Sequence, residues 1–256
     1  MFKKLIKKFV AAFGLEVTRK CKYAFDEITP KIIQKKECVI FDIGANRGQS
    51  ISKFKKYFDE PLIHAFEPHP EEFARLSKLF ENDKTIILQQ QAVGSKPGKL
   101  LFNINANSAH SSFNQLTAGT EWIRRRSEEM GLSDQKYTIE RTEVEVTTVD
   151  EYCKRVGLER IDFLKVDTQG FEREVLEGAK VMLSKAAIEV VQVEMIFSNV
   201  YEKVNNITDI EAFLVPNGYK LFGASRSGNM LENYIFETDL IYVSNAVFEK
   251  FRQREY

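Results

Sequence analysis

The run FDIGANRG places Asp42, Gly44, Ala45, Asn46 and Gly48 directly after the β-branched stretch Val39–Ile40, and Glu67 closes a second apolar run, Leu62–Phe66. A glycine turn between a strand and a helix lets backbone approach a bound ligand, and an acid ending the next strand is placed to take ribose hydroxyls. The turn has the form D-x-G-A-N-x-G. It lacks the third glycine of the dinucleotide fingerprint and the GK[ST] ending of a phosphate loop. A cofactor without a pyrophosphate needs fewer backbone contacts and more side-chain ones. Asp42 is then placed for an ammonium group, Asn46 for a carboxylate and Glu67 for a ribose diol. S-adenosylmethionine carries all three groups, so it is expected in preference to a nicotinamide dinucleotide. The competing reading gives these residues structural work only, with Asp42 capping a helix, the glycines serving a bend, and Glu67 held extended by Pro68.

These residues need a frame to position them. Short apolar or β-branched runs predict strands at about 38–43, 62–67, 85–92, 162–167, 187–194, 219–224 and 239–243. Helices are expected at Gln49–Tyr57, at Pro70–Phe80 with proline in the first turn, at Glu172–Leu183, and at Thr208–Val215 behind a Thr208 cap. Alternating strand and helix is the pattern of a mostly parallel sheet covered on both faces. The Gly- and Asn-rich stretch from Gly223 to Asn233 has no room for a crossover helix, which predicts an antiparallel final hairpin. Between Gly94 and Val149 the alternation breaks: Lys99–Asn103 and Thr142–Thr148 read as an extra strand pair, Asn105–Asn114 as a polar loop, and Glu121–Met130 as a charged helix. Long loops in compact domains commonly carry function.

With 256 residues and 43% apolar content, the chain can bury one sizeable core. The expected organisation is a basic amphipathic helix over 1–22, then a domain over 23–256 with an insertion near 95–148. The 37 basic and 37 acidic side chains cancel, so no nucleic-acid partner is expected and the substrate should be small or uncharged. Cys21, Cys38 and Cys153 have no CxxC pairing, which fits a reducing, cytoplasmic compartment and argues against a thiolate zinc site. Phe2, Leu5, Ile6, Phe9, Val10 and Phe13 form one helical stripe beside Lys3, Lys4, Lys7 and Lys8. Such a stripe either lies on an anionic membrane face, here through residues 2–13 at the inner surface, or docks on protein. The chain has no unbroken apolar stretch of secretory-signal type at its start and no spanning segment elsewhere.

The chain resembles the FkbM family of S-adenosylmethionine-dependent methyltransferases over most of residues 38–243. The resemblance rests on FDIGANRGQS at 41–50, AFEPHP at 65–70, QAVG at 91–94, the serines of AHSSF at 109–113, TTVDEY at 147–152, IDFLKVDTQGFEREVLEGA at 161–179 and VVQVEM at 190–195. It implies an α/β, Rossmann-like seven-stranded sheet with an antiparallel last strand and helices on both faces. It also implies O-methylation of hydroxyls on sugars or polyketide-type products, often in polysaccharide or glycolipid biosynthesis. Ala92 joins Asp42, Gly44, Ala45, Asn46, Gly48 and Glu67 in the implied cofactor set. Where family members often have Asp-x-Glu-Gly, this chain has Asp167-Thr168-Gln169-Gly170, which leaves the role of position 169 open. The rival readings are an NAD(P)-linked oxidoreductase and a catalytically silent, membrane-peripheral, cofactor-binding scaffold.

In open α/β sheets ligands sit beyond the carboxyl ends of the strands, where Asp167 and Glu194 fall. A sugar hydroxyl is a poor nucleophile while protonated, so a base or a metal should assist. Asp167 is the first choice for a catalytic carboxylate, Glu194 the second and His110 the third. Ser111, Ser112 and Gln169 are expected at the acceptor. Alternatively Asp167 and Glu194 hold Mg²⁺, to which Gln169 would add a carbonyl oxygen, or Asp167 caps the helix near Glu172. His64 reads as a core residue, His69 as a solvated helix-start residue in preference to an adenine contact, and Lys165 as an ion-pair partner without a chemical role.

Overall fold

The computed structural model describes residues 25–225, 230–231 and 234–255; the expected helix over 1–22 and Cys21 lie outside them. In chain order the strands are β1 (Val39–Ile43), β2 (Leu62–Phe66), β3 (Ile86–Gln89), β4 (Ala92–Val93), β5 (Gly98–Asn105), β6 (Thr138–Thr147), β7 (Ile161–Val166), β8 (Ile188–Ile196), β9 (Tyr219–Ala224), β10 (Met230–Leu231), β11 (Tyr234–Ile235) and β12 (Glu237–Ser244). Seven of them form one sheet in the order β3-β2-β1-β7-β8-β12-β9. The strands from β3 to β8 run parallel, and β12 is antiparallel to both of its neighbours. This is the α/β sheet with an antiparallel last strand that the sequence predicts. Strand order reverses between β1 and β7, the place where open parallel sheets bind ligands.

Alternating residues of the central strands feed two cores. Phe41, Ile43, Leu164, Val166, Val191 and Val193 pack on one face. Ile40, Phe163, Val190, Ile241 and Val243 pack on the other, against Ile51 and Phe54 of the helix Gln49–Tyr57. Both faces are covered, as near-continuous apolar strands require. Toward their carboxyl ends the strands give way to polar side chains on the second face: Asp42 pairs in register with Lys165, Lys165 with Gln192, and Glu194 with Asp239.

Several elements depart from the sequence expectation. The strand expected over 85–92 is two strands, because β4 leaves the main sheet and pairs with β6, so that Val93 packs in the main core and Ala92 under the insertion. The helix expected over Glu172–Leu183 is two short helices, Glu172–Glu177 and Lys180–Ser184. A Cβ on Gly178 would lie 2.0 Å from the Gly94 carbonyl oxygen, so the chain turns where backbone meets backbone. Asp150 restarts the helix by accepting from Val181 N at 2.8 Å and Met182 N at 2.9 Å. Thr208 lies inside the helix Ile207–Leu214, whose cap is Asn206; Asp209 Oδ2 accepts from Asn206 N at 2.8 Å. The helices Phe25–Ile33, Val149–Val156 and Asn245–Glu255 add to those expected. In the 94–149 region β5 and β6 pair antiparallel, and the polar loop is stitched back onto β5 by reciprocal backbone bonds between Asn103 and Ser112. Among the described residues no helix is long and apolar enough to cross a membrane.

His64 is the core residue expected, with its Nδ1 2.8 Å from the Tyr152 hydroxyl and its ring centroid 5.1 Å from that of Phe41. Burial pulls its pKa down from 6.5 to about 4. Above 6.5 the imidazole is neutral folded or unfolded; as pH falls below that value the unfolded chain takes up the proton first, and stability is lost progressively toward pH 4. Urea unfolding at pH 7 and pH 5 should show the wild-type chain losing about 1–2 kcal/mol more than His64→Gln. Parallel losses in the two proteins would contradict this.

Candidate active site

A cavity of about 460 Å³ opens at the carboxyl ends of the strands and is lined by Gly44, Ala45, Asn46, Glu67, Ala92, His110, Ser111, Asp167, Gln169 and Glu194 among others. Its floor is the turn after β1. Gly44 N and Ala45 N each donate to the Phe66 carbonyl at 3.1 Å. Gly44 has φ +86°, and a Cβ there would sit 1.9 Å from the Asp167 carbonyl oxygen. Only glycine lets β1 close on β7 at this point.

Glu67 fixes the next step of the turn. Its Oε2 accepts from Asn46 N at 2.7 Å and its Oε1 from His69 N at 2.8 Å. Burial pushes its carboxyl up to about 7 even though these two amides favour the charge. Each oxygen keeps acceptor capacity for a ligand hydroxyl. Asn46 takes φ +46°; its Nδ2 lies 3.5 Å from Ser108 Oγ, while its buried Oδ1 has no hydrogen-bond partner. In this orientation Asn46 offers an acceptor, which suits an ammonium or a hydroxyl rather than the carboxylate expected of it.

The structure moves two expected cofactor residues off the cavity wall. Asp42 is fully buried, accepts from Ser50 Oγ and stands 3.6 Å from Lys165 Nζ; it anchors the base of the turn and does not face a ligand ammonium. Gly48 is a packing glycine: a Cβ there would lie 2.9 Å from Leu76 Cδ2 and 3.0 Å from Phe80 Cε2. His69 is 5% exposed, so it is not solvated, and it does not line the cavity.

Asp167 and Glu194 meet across the mouth of β7 and β8. Gln169 joins them, its Nε2 donating to Glu194 Oε2 at 2.6 Å and to Asp167 Oδ1 at 3.2 Å. The amide is held that way round by the Tyr201 hydroxyl, which donates to Oε1 at 2.9 Å. The carbonyl therefore points away from the acids, and Gln169 is not a carbonyl ligand for a cation between them. A donor nitrogen bridges the two carboxyls where the Mg²⁺ expectation needs oxygen ligands, and among the described residues no group of three or more His, Cys, Asp or Glu is arranged to hold a metal ion. Ser112 likewise serves the turn rather than an acceptor, its Oγ donating to the Gln169 carbonyl at 2.8 Å and accepting from Asn114 N at 3.0 Å.

Charge within the pair is unequal. Burial opposes ionisation of Asp167, but the Lys165 ammonium, 3.0 Å from Oδ2, and the hydrogen bonds from Glu194 and Gln169 hold it below the usual carboxylate range. Burial, then repulsion by Asp167, pushes Glu194 well above that range. Of the two, Asp167 favours the carboxylate and Glu194 the protonated acid. Asp167 is not the cap of the following turn. That work falls to the buried Glu172, whose Oε1 accepts from Thr168 N and Gly170 N at 3.0 Å each, while Asn205 donates to its Oε2 at 2.9 Å.

His110 lines the cavity with Nδ1 2.7 Å from the Tyr137 hydroxyl and its ring against Trp122, and burial lowers its pKa to about 4. It is neutral at pH 7. Ser111 lines the cavity too, though its Oγ accepts from Asn105 N at 3.0 Å. Lys165, Gln192, Glu237 and Asp239 complete the polar wall. Lys165 is the ion-pair partner expected from the sequence, meeting Asp167 two residues on along one strand face and Asp42 across it. Tyr201 carries no such signal; it reaches Gln169 from a loop brought in by tertiary folding.

Residues 42–221 match the model of the methyltransferase FkbM domain. The 2-O-methyltransferase NoeI of Sinorhizobium fredii (strain NBRC 101917 / NGR234) is 26% identical over 156 residues, covering 60% of this chain and 62% of that protein. Methyltransferase sdnD of Sordaria araneosa is 30% identical over 155 residues, 54% of this chain and 59% of that one. The matches thus span about six tenths of the length of these relatives. Among solved structures, a precorrin-6y C5,15-methyltransferase from Geobacter metallireducens GS-15 aligns with a TM-score of 0.42 at 10% identity, over 89% of this chain and 93% of that one. The family match covers well over half of the sequence: this chain belongs to the FkbM family of methyltransferase domains.

Proposed function

We propose that this chain transfers a methyl group from S-adenosylmethionine to a hydroxyl oxygen of a small-molecule or glycan acceptor, with a sugar hydroxyl the favoured class. The observation that carries this reading is that one cavity is lined both by the glycine turn with Glu67 and by the ionised Asp167. Groups able to hold the donor and a group able to take a proton face the same space. The cavity's volume is in the range of cofactor sites, and the unpartnered Asn46 Oδ1 and the free lone pairs of Glu67 suit the donor's ammonium and ribose hydroxyls. Support for an oxygen acceptor comes from the relative named as a 2-O-methyltransferase.

When bound, S-adenosylmethionine supplies an electrophilic methyl on a sulfonium. The protein's part is to align the acceptor oxygen and to relieve it of its proton. The turn Gly44–Asn46 and Glu67 would hold that donor, which would supply the methyl group and a neutral sulfur leaving group, and Asp167 is the group placed to take the hydroxyl proton. Glu194, held toward its protonated form by burial and by Asp167, is placed to donate a hydrogen bond rather than to accept that proton. His110, neutral and tied to Tyr137, stands at the wall contributed by the insertion.

Calorimetry should detect binding of S-adenosylhomocysteine to the purified chain, weakened about tenfold by Glu67→Gln, which replaces one acceptor oxygen by a donor amide. Binding of a nicotinamide dinucleotide with no binding of S-adenosylhomocysteine would refute the donor assignment. With a pooled sugar acceptor and labelled donor, Asp167→Asn should lower kcat by about a hundredfold or more. Its affinity for S-adenosylhomocysteine should stay within about threefold of wild type, since a base acts on the acceptor. Unchanged transfer would remove Asp167 from the proton step.

A further inference from the structure

Lys165 is a buried cation without an obvious reason to be there. It occupies the strand face that Asp167 shares, its side chain is 12% exposed, and its Nζ lies 3.0 Å from Asp167 Oδ2 and 3.6 Å from Asp42 Oδ1. A buried ammonium is costly unless it is paired, and its two partners are acids, the buried Asp42 of the adjacent strand β1 and the partly exposed Asp167 at the end of its own strand β7. The titratable groups nearest to it are acids. Asp42 faces Lys165 from β1; Asp167 stands at the end of its own strand; Glu194 comes from β8; Glu237 and Asp239 come from β12; and Glu172 follows in the helix beyond the turn. The neutral groups on this wall are Gln192, Gln169, Ser50 and the Tyr201 hydroxyl.

Two carboxyl groups in contact cannot both ionise readily, so a cation placed on one side decides which of them keeps the charge. The ammonium touches Asp167, whereas Glu194 meets Asp167 and the Gln169 amide. We propose that Lys165 is a positioning residue acting through Asp167: by holding that side chain as the carboxylate, it leaves the pair's proton on Glu194 and selects Asp167 as the proton acceptor. Lys165 itself touches no reacting atom in this account. The proposal rests on the methyl-transfer reading for its purpose, but the allocation of the proton is a property of the protein alone.

The first test therefore uses the full chain without donor or acceptor. Infrared spectroscopy at pH 7 reads protonated carboxyl groups through their carbonyl stretch. Glu194→Gln should lose intensity in that band relative to wild type. Lys165→Met should gain intensity, Lys165→Arg should not, and the gain should vanish when Asp167→Asn is added to Lys165→Met. No loss in Glu194→Gln, no gain in a folded Lys165→Met, or a gain that survives the added Asp167→Asn each overturns the proposal. If Lys165→Met does not fold, Lys165→Gln takes its place in the same comparison, with far-ultraviolet circular dichroism confirming the fold. With methyl transfer measured, the acidic limb of kcat should move up by about 1–3 pH units in Lys165→Gln and return in Lys165→Arg. A merely structural lysine would lower the rate at all pH values without moving that limb. Failure to bind S-adenosylhomocysteine would sink the functional reading while leaving the infrared result to stand or fall alone.

Discussion

The approach of β1 to β7 at Gly44 is the constraint on which the site depends. Asp167 N donates to the Ile43 carbonyl at 3.0 Å, continuing the parallel ladder one residue past its strand. The Asp167 carbonyl then occupies the space where any side chain at position 44 would have to go. The glycine turn and the acid thus meet at one point through backbone packing, before any side chain is considered. From there Glu67 pins the turn by accepting from Asn46 N and His69 N. The end of β2 is thereby brought to the same cavity. Ligand-facing groups from three strands are arranged by main-chain contacts, which resist deformation better than loops do.

The second half of the site is a polar network that orders its own members. Gln169 sits at φ +57°, a conformation that costs energy for a residue with a side chain. It is held there by Glu172 under the turn, by Ser112 on its carbonyl and by Tyr201 on its amide. The first two contacts fix the backbone of the turn, and the Tyr201 hydroxyl turns the amide nitrogen toward the two acids. Ser112 and Asn114 come from the polar loop, and Tyr201 follows β8, so the insertion and the main sheet are joined beside Asp167 and Glu194. The ionisable groups of this network are tied to one another: Lys165 pairs with Asp167 and Asp42, and Gln169 bridges Asp167 to Glu194.

Much of this was legible in the residues. Periodicity located all seven strands of the sheet, and the missing crossover before the last strand predicted its reversed direction, because these follow from local pattern and chain length. Gly44, Glu67 and Asp167 line the cavity, each at a strand end that the pattern locates. What the spacing could not separate was contact with a ligand from support of the fold. Asp42 and Gly48 share the motif with Gly44, yet one is buried under Lys165 and the other faces Leu76 and Phe80. The break at Gly178 depends on Gly94, distant in sequence, and the orientation of Gln169 depends on Tyr201. Burial of His69 likewise comes from neighbours that sequence order does not reveal.

The central claim is that the donor-binding turn and the ionised Asp167 serve one ligand space. A crystal structure of the chain with S-adenosylhomocysteine tests it most directly. The account predicts the ribose hydroxyls beside Glu67 and the sulfur on the side of the cavity that opens to Asp167. A ligand bound outside this cavity, or one whose sulfur is walled off from Asp167 by protein atoms, would contradict it.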